Sequence, residues 1–426
     1  MTLIGPKRIS ELSPSERSLL IERFADLESV SEKVRKILDD VRRGGDEALI
    51  KYTELFDKVK LEPHQLLVHE DEIERARDLV DARLLRSLER VVEALGRFHS
   101  RQLPPRELCV ETAPGCVTRL LALPLDSVGI YVPGGLHPYP STALMLAVPA
   151  RVAGVNEIAA CTPPRRDGSV DPSVLAALAL AGVKRVYRVG GVQALAALAF
   201  GTETVKRVDK IVGPGNVYVA AAKRELYGRV GVEMLAGPSE IVVVADESVD
   251  PKLVVLDMLA QLEHGPGSLA ALIALHEGLA RSVSEELRSS LSRLGLTGAR
   301  VAVLIAESVE EAALFVNEIA PEHVELLLEQ PEALAYKIKK AGSVALGLNT
   351  PIALCDYLTG ANHVLPTSGA ARFRGALTVY DFLSFVQFQE ASPQCLREAA
   401  PFLEALAEAE GMKLHALSVR ARVGSS

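Results

Sequence analysis

The sequence has no tryptophan, and its aromatic residues amount to 4%. With its richness in Arg, Glu and Leu, that is compatible with a thermophilic source. Its five cysteines, Cys109, Cys116, Cys161, Cys355 and Cys395, are odd in number and include no C-x-x-C pair. A disulfide framework and a thiolate zinc cluster are therefore not expected. An excess of positive charge is missing too. Lys and Arg number 47 against 55 Asp and Glu, a net charge of -8. No surplus of cations is left for a phosphate backbone, so nucleic acid is not an expected partner. The longest apolar runs, such as residues 174–183, fall well short of the roughly 20 residues of a membrane span. Residues 1–10 carry no apolar signal region, so the expected compartment is the cytoplasm. The full G-x-G-x-x-G fingerprint with its ribose-binding acid is also absent.

What is present describes a globular protein of 426 residues, 48% hydrophobic, with material for roughly two or three domains. Residues 1–60 read as helices. Ser13-Pro14-Ser15-Glu16 has the form of a capping box, and Gly44-Gly45-Asp46 separates two helices, with Asp46 as N-cap. Residues 71–99 form another helical run. From Ser127 the pattern alternates. Strands are expected at 128–132, 157–161, 185–189 and 210–212, with helices between them. A second alternating block places strands at 240–245, 269–275, 300–305, 324–328 and 343–348. The fold class is therefore α/β, with two Rossmann-like parallel-sheet domains, a helical N-terminal region and a helical C-terminal tail over residues 392–415.

Ligands of open α/β sheets gather beyond the carboxyl ends of the strands. Tyr131, Gln193 and Asn216 fall at such ends, each beside glycines, which reads either as a nucleotide site or as ordinary turn chemistry. The second block holds the ionisable groups. Gln261 and His264, three apart, share one face of a helix that breaks at Gly265-Pro266. They are half of a metal site or a capped helix end. Glu322 and His323 stand at a helix-to-strand junction and offer a base beside a carboxylate. Asp356, Asn362 and His363 share one loop, and Glu410 and His415 lie on the C-terminal helix, five apart. A Gln, Asp, His and His set offers oxygen and nitrogen donors suited to zinc, manganese or a related divalent ion. The other histidines, His64, His69, His99, His137 and His276, read as structural or surface residues.

The motifs, taken together, resemble the L-histidinol dehydrogenase family over nearly the whole chain. They run from Val41-Arg42-Arg43-Gly44-Gly45-Asp46 through Tyr131-Val132-Pro133-Gly134-Gly135, Val189-Gly190-Gly191-Val192-Gln193-Ala194 and Gly213-Pro214-Gly215-Asn216. Ala236-Gly237-Pro238-Ser239-Glu240, Gln261-Leu262-Glu263-His264-Gly265-Pro266, Pro321-Glu322-His323 and Gly360-Ala361-Asn362-His363-Val364-Leu365-Pro366-Thr367 follow in order. The resemblance implies oxidation of L-histidinol to L-histidine through L-histidinal, with two NAD and one zinc ion per subunit. Gln261, His264, Asp356 and His415 match zinc ligands. Glu322 and His323 match proton acceptors. Ser239, His323, Glu410 and the metal ligands match substrate contacts, and Tyr131, Gln193 and Asn216 match cofactor contacts. It also implies a homodimer with exchanged C-terminal segments, so Glu410 and His415 would serve the partner's site.

The implied domains are a helical segment at 1–30, a discontinuous metal and catalytic domain at 31–127 and 236–376, a cofactor domain at 128–235, and an exchanged tail at 377–426. The sequence departs from the family pattern at His137, which follows the Gly134-Gly135 turn, and at Cys355, which stands where a glycine is expected. Two other readings stay open. One is an NAD-dependent aldehyde dehydrogenase with Cys116 or Cys161 as nucleophile. The other is a non-enzymatic two-lobed small-molecule binding protein.

Overall fold

A computed structural model describes residues 2–23, 26–134, 137–294 and 298–424. Gly135 of the expected Gly134-Gly135 turn lies outside the described residues, as do Ser425 and Ser426 of the chain end. The chain forms two compact units, Met1–Gln102 with Asp126–Phe382, and Leu103–Leu125 with Leu383–Ser426.

The first unit contains two parallel sheets, as the alternating pattern predicts. One has the spatial order Arg185–Arg188, Glu157–Thr162, Ser127–Tyr131, Lys210–Val212, Gly231–Val232. Its first strand in the chain is central, so the winding reverses between Ser127–Tyr131 and Lys210–Val212. A crevice opens beyond the carboxyl ends of the strands at such a reversal.

The other sheet has the order Thr2–Arg8, Arg300–Ile305, Leu269–Ala274, Glu240–Ala245, His323–Leu327, Ser343–Leu346, with every pairing parallel. The Glu240–Ala245 and Leu269–Ala274 strands are buried at every residue. Continuous apolar runs of this kind are what a sheet covered on both faces requires. Ile241, Val243 and Leu327 pack on the helix Pro251–Leu262. Val242, Val244, Val324 and Leu326 pack on the opposite face against Phe315, Val316 and Ile319.

Two local expectations need correction. Residues 2–8 are a strand, Thr2–Arg8, not helix. Its pairing shifts register between Ile4 and Lys7, at Gly5-Pro6, two residues that weaken any strand signal. At Gly45 (φ 51°) the run Glu28–Asp57 breaks, as expected, into two helices, with Asp46 at the start of the second. Asp46 does not cap that helix: its carboxylate accepts from the backbone N–H and hydroxyl of Thr204. The Ser13 capping box forms as expected, with the Ser13 N–H donating to Glu16 Oε2 at 2.9 Å.

The second unit is a three-stranded antiparallel sheet, Leu383–Ala391, Cys116–Pro124, Glu107–Ala113, followed by helices Pro393–Ala409 and Lys413–Val423. The tail is thus two helices preceded by a strand, because Gly411 (φ 72°) breaks the run expected over 392–415. Glu410 caps the first of these helices and His415 lies in the second. The unit leaves much apolar surface in water, including Phe385, Phe388, Phe402, Leu406 and Leu414.

Candidate active site

A cavity of about 600 Å³ in the first unit collects most of the expected groups. Tyr131 and Asn216 come to it from the carboxyl edge of the five-stranded sheet. Ser239, Gln261, His264, Glu322, His323 and Asp356 come from the six-stranded sheet and its helices. The two sheets use opposite ends. Glu240 and His323 open their strands, so the titratable groups sit at the amino ends of the second sheet.

The cofactor edge is shaped by backbone. Gly213 (φ 136°) runs so close to Tyr131 that an added Cβ would lie 2.1 Å from its carbonyl oxygen. The peptide N–H of Gly213 donates to Glu233 Oε1 at 2.6 Å. Lys223 Nζ donates to the Gly213 carbonyl and, at 2.6 Å, to the same Glu233 oxygen. This buried ion pair fixes the Gly213-Pro214-Gly215-Asn216 turn. Asn216 caps the helix Val217–Leu226, its Oδ1 accepting from Tyr218 N (3.0 Å) and Val219 N (3.2 Å). The Tyr131 hydroxyl accepts from Gly191 N at 3.2 Å. Burial is the main cause pushing its pKa up to about 12, so it stays a neutral phenol. Gln193 is 1% exposed, its Oε1 lacks a partner among the described residues, and it is not among the residues lining the cavity.

The catalytic edge is built from side chains. Glu322 and Glu240 bond reciprocally: Glu240 N donates to Glu322 Oε2 (2.9 Å), and Glu322 N donates to Glu240 Oε2 (3.3 Å). Arg23 forks onto Glu240, with Nε to Oε1 at 2.8 Å and Nη2 to Oε2 at 2.9 Å. Burial first, then the charges of Glu240 and Asp356, raise the Glu322 carboxyl well above its usual range, against the lowering effect of the Glu240 N–H. Its Oε1 lies 4.0 Å from His323 Nε2, and Asp356 Oδ1 lies 3.7 Å from the same nitrogen. Burial, with His363 and His264 nearby, depresses His323 to about 3, leaving a neutral imidazole able to accept a proton.

Asp356 is on the short helix Ile352–Tyr357, not in one loop with Asn362 and His363 as the spacing suggests. Burial pushes its carboxyl up to about 7. His363 Nδ1–H donates to the Asp356 carbonyl at 2.9 Å, because a carbonyl only accepts. Its Nε2 is then the acceptor, and the Thr142 hydroxyl donates to it at 3.2 Å.

The cysteine alternative finds little support here. Cys161 is fully buried, and burial pushes its thiol pKa up. A thiol so held is not an activated nucleophile. Cys116 belongs to the second unit, on the strand Cys116–Pro124.

A family model described as histidinol dehydrogenase matches residues 22–423. The chain is 43% identical to the histidinol dehydrogenase of Methanosarcina mazei over 98% of both chains. It belongs to the histidinol dehydrogenase family. It is also 46% identical to the Methanopyrus kandleri histidinol dehydrogenase, over 93% of this chain and 95% of that one. The crystal structure of histidinol dehydrogenase from Elizabethkingia anophelis matches with a TM-score of 0.89 at 35% identity, covering 100% of this chain and 98% of that chain.

A member of the histidinol dehydrogenase family is an oxidoreductase, which sets aside the non-enzymatic binding protein. Among the described residues, no group of three or more His, Cys, Asp or Glu is arranged to hold a metal ion. Gln261, His264 and Asp356 nevertheless line one cavity with oxygen and nitrogen donors, the donor types a divalent ion takes. Glu410 and His415 belong to the second unit.

His363, Thr142, Arg23 and Glu240 are the site groups that sequence reasoning did not assign. His363 stood in a family motif and was grouped with Asp356 and Asn362, but no role was given to it. Arg23 had none, because its partner lies 217 residues away. His137 is exposed, and Cys355 is buried on the helix that carries Asp356. Among the described residues, no helix is long and apolar enough to cross a membrane.

Proposed function

We propose that this oxidoreductase converts L-histidinol to L-histidine through L-histidinal, with two NAD as hydride acceptors, as the last step of histidine biosynthesis. The observation that carries this reading is the neutral, buried His323. It is flanked by Glu322 and Asp356, in a cavity whose far edge presents Tyr131 and the Asn216 turn. Tyr131, Gln193 and Asn216 contact the cofactor. Ser239, Gln261, His264, His323, Asp356, Glu410 and His415 contact the substrate.

One zinc ion per subunit would be held by Gln261, His264, Asp356 and His415 of the partner subunit; when bound it supplies a fixed point for substrate nitrogens. His323 accepts the hydroxyl proton as hydride leaves the alcohol carbon for the nicotinamide ring. Glu322, its carboxyl raised above the usual range chiefly by burial, takes a proton from the water that hydrates the aldehyde. His323 accepts again in the second hydride transfer. Enclosure of the aldehyde between the two edges keeps it from water until it is hydrated in place.

The division of labour follows the sheets. The five-stranded sheet within residues 128–235 binds the cofactor, the six-stranded sheet within residues 236–376, joined by the strand Thr2–Arg8, carries metal and catalysis, and residues 377–426 are exchanged in a homodimer. The exposed apolar side chains of the second unit support that exchange, since a patch of this kind ordinarily marks an interface. The five free thiols suit a reducing compartment, the cytoplasm.

The test is NADH formation from L-histidinol, with and without a chelator. Two NADH per histidinol, lost on chelation and restored by zinc, is the expected result. No NADH would overturn the reading. The shared site has its own test in mixed dimers of His323→Ala and His415→Ala chains. Exchange predicts that each mixed dimer recovers one intact site, whereas sites confined to single chains would recover none.

A further inference from the structure

Two acids, Glu325 fully buried and Asp257 half-buried, stand outside the reaction described above. Asp257 lies on the helix Pro251–Leu262, one turn before Gln261. Glu325 lies two residues beyond His323 on the strand His323–Leu327, so both side chains leave the same face of the sheet. That face is the one on which the helix packs, because Leu327 shares its core with Val254, Val255, Met258 and Leu262. The stripe Asp257–Gln261 on the helix therefore runs above the stripe Glu325–His323 on the strand.

Glu325 is fully buried, and neither of its carboxylate oxygens meets a conventional donor among the described residues. The carboxyl of Asp257 acts directly on it, so a hydrogen bond between the two acids is the pairing open to Glu325. Two ionised carboxylates are acceptors only, so such a bond needs a proton between them. Burial first, then the charge of Asp257, push Glu325 up to about 8, and burial raises Asp257 as well. From the helix Ile352–Tyr357, the Cys355 thiol also feels the charge of Glu325.

We propose that Asp257 and Glu325 share one proton and act as a positioning pair, pinning the helix that carries Gln261, with His264 in the turn just after it, to the strand that carries His323. Loss of that proton would place a second negative charge against a fully buried carboxylate, where repulsion is stronger than in water. Helix and strand would then separate directly behind the site. The pair thereby sets an upper pH limit on turnover. This inference rests on the assignment of His323 as base and of Gln261 and His264 as ligands.

The experiment uses the full chain with L-histidinol and NAD. It measures kcat and KM from about pH 6 to about pH 10, a range that brackets a raised carboxyl, together with the thermal midpoint of each variant. In Glu325→Gln the amide donates N–H to an ionised Asp257 and needs no shared proton. Turnover near neutral pH should be close to wild type, and the alkaline fall should disappear. Asp257→Ala should lower kcat by about 10- to 100-fold, the scale of misplacing reacting groups by up to roughly 1 Å. Asp257→Asn, which restores a donor, should recover most of that loss.

An unchanged alkaline limb in Glu325→Gln would overturn the proposal. So would wild-type kcat in a folded Asp257→Ala. If Asp257→Ala does not fold, the limb of Glu325→Gln decides alone. His323→Ala is the control: if it is fully active, the base assignment fails, whereas silent pair variants beside an inactive His323→Ala condemn only the pair.

Discussion

The two edges of the cavity are built in different ways. The cofactor edge belongs to the carboxyl ends of a sheet, and its shape comes from glycines and one helix cap, with a buried Lys223–Glu233 pair holding the turn. The catalytic edge belongs to the amino ends of a second sheet. Its shape comes from carboxyls and imidazoles, held by the Arg23–Glu240 fork. Backbone can approach a flat cofactor closely but has no titratable group to offer. Side chains in dry surroundings can be tuned for proton transfer but must be braced. Changes at the first edge should therefore register in the KM for NAD, and changes at the second in kcat.

The largest effects should come from unbracing either edge. Arg23→Met leaves Glu240 charged and unpaired, and Lys223→Met does the same to Glu233. Each should cost about 3–5 kcal/mol in denaturant unfolding. The two should part company in kinetics, with Arg23→Met lowering kcat and Lys223→Met raising the KM for NAD. Identical kinetic profiles would erase the distinction between the edges.

Next comes His323→Ala, expected to lower kcat by roughly 100-fold or more, the scale of a general base. Metal content measured after dialysis should not change, since His323 is not among the proposed ligands. On the cofactor edge, Asn216→Ala removes a helix cap worth about 1 kcal/mol. It should shift the unfolding midpoint by that amount while raising the KM for NAD and leaving kcat nearly intact.

The smallest effect concerns Asp57, which ends the helix Glu28–Asp57 and whose charge acts on Tyr131. Burial raises its pKa from 3.8 to about 6. A folded-state pKa above the unfolded one contributes stability below about pH 4 that is lost as pH rises through about 6. Asp57→Asn should therefore stabilise the protein near pH 8 by up to about 1 kcal/mol, discounted for partial exposure, and change little near pH 4. Equal stabilisation at both pH values would show that the charge is not the cause.

Most of the first unit was legible because its strands are continuous apolar runs, such as Ile241 to Val244, separated by glycine turns. The helix break at Gly265 and the Ser13 cap were legible for the same local reason. The second unit's sheet was not. Every residue of Glu107–Ala113 is exposed, so no alternation toward a core exists to be read. The Thr2–Arg8 strand is interrupted by Gly5-Pro6 and pairs with a segment some 300 residues away. In the site, Gln261, His264, Glu322, His323 and Asp356 were legible through motifs and do share one cavity. Their braces were not, because Arg23 and Glu240 meet only through the fold. The amino-end placement was also hidden. Strand positions can be inferred from a sequence, but which end of the sheet faces the crevice depends on the packing of the whole unit.

Calorimetric titration of NAD into wild type, His323→Ala and Asn216→Ala tests the separation of the two edges most directly. The account predicts that His323→Ala binds NAD like wild type while turning over poorly, and that Asn216→Ala binds it several-fold more weakly, as expected when a few groups carry the affinity. Weakened NAD binding in His323→Ala with undiminished binding in Asn216→Ala would contradict it.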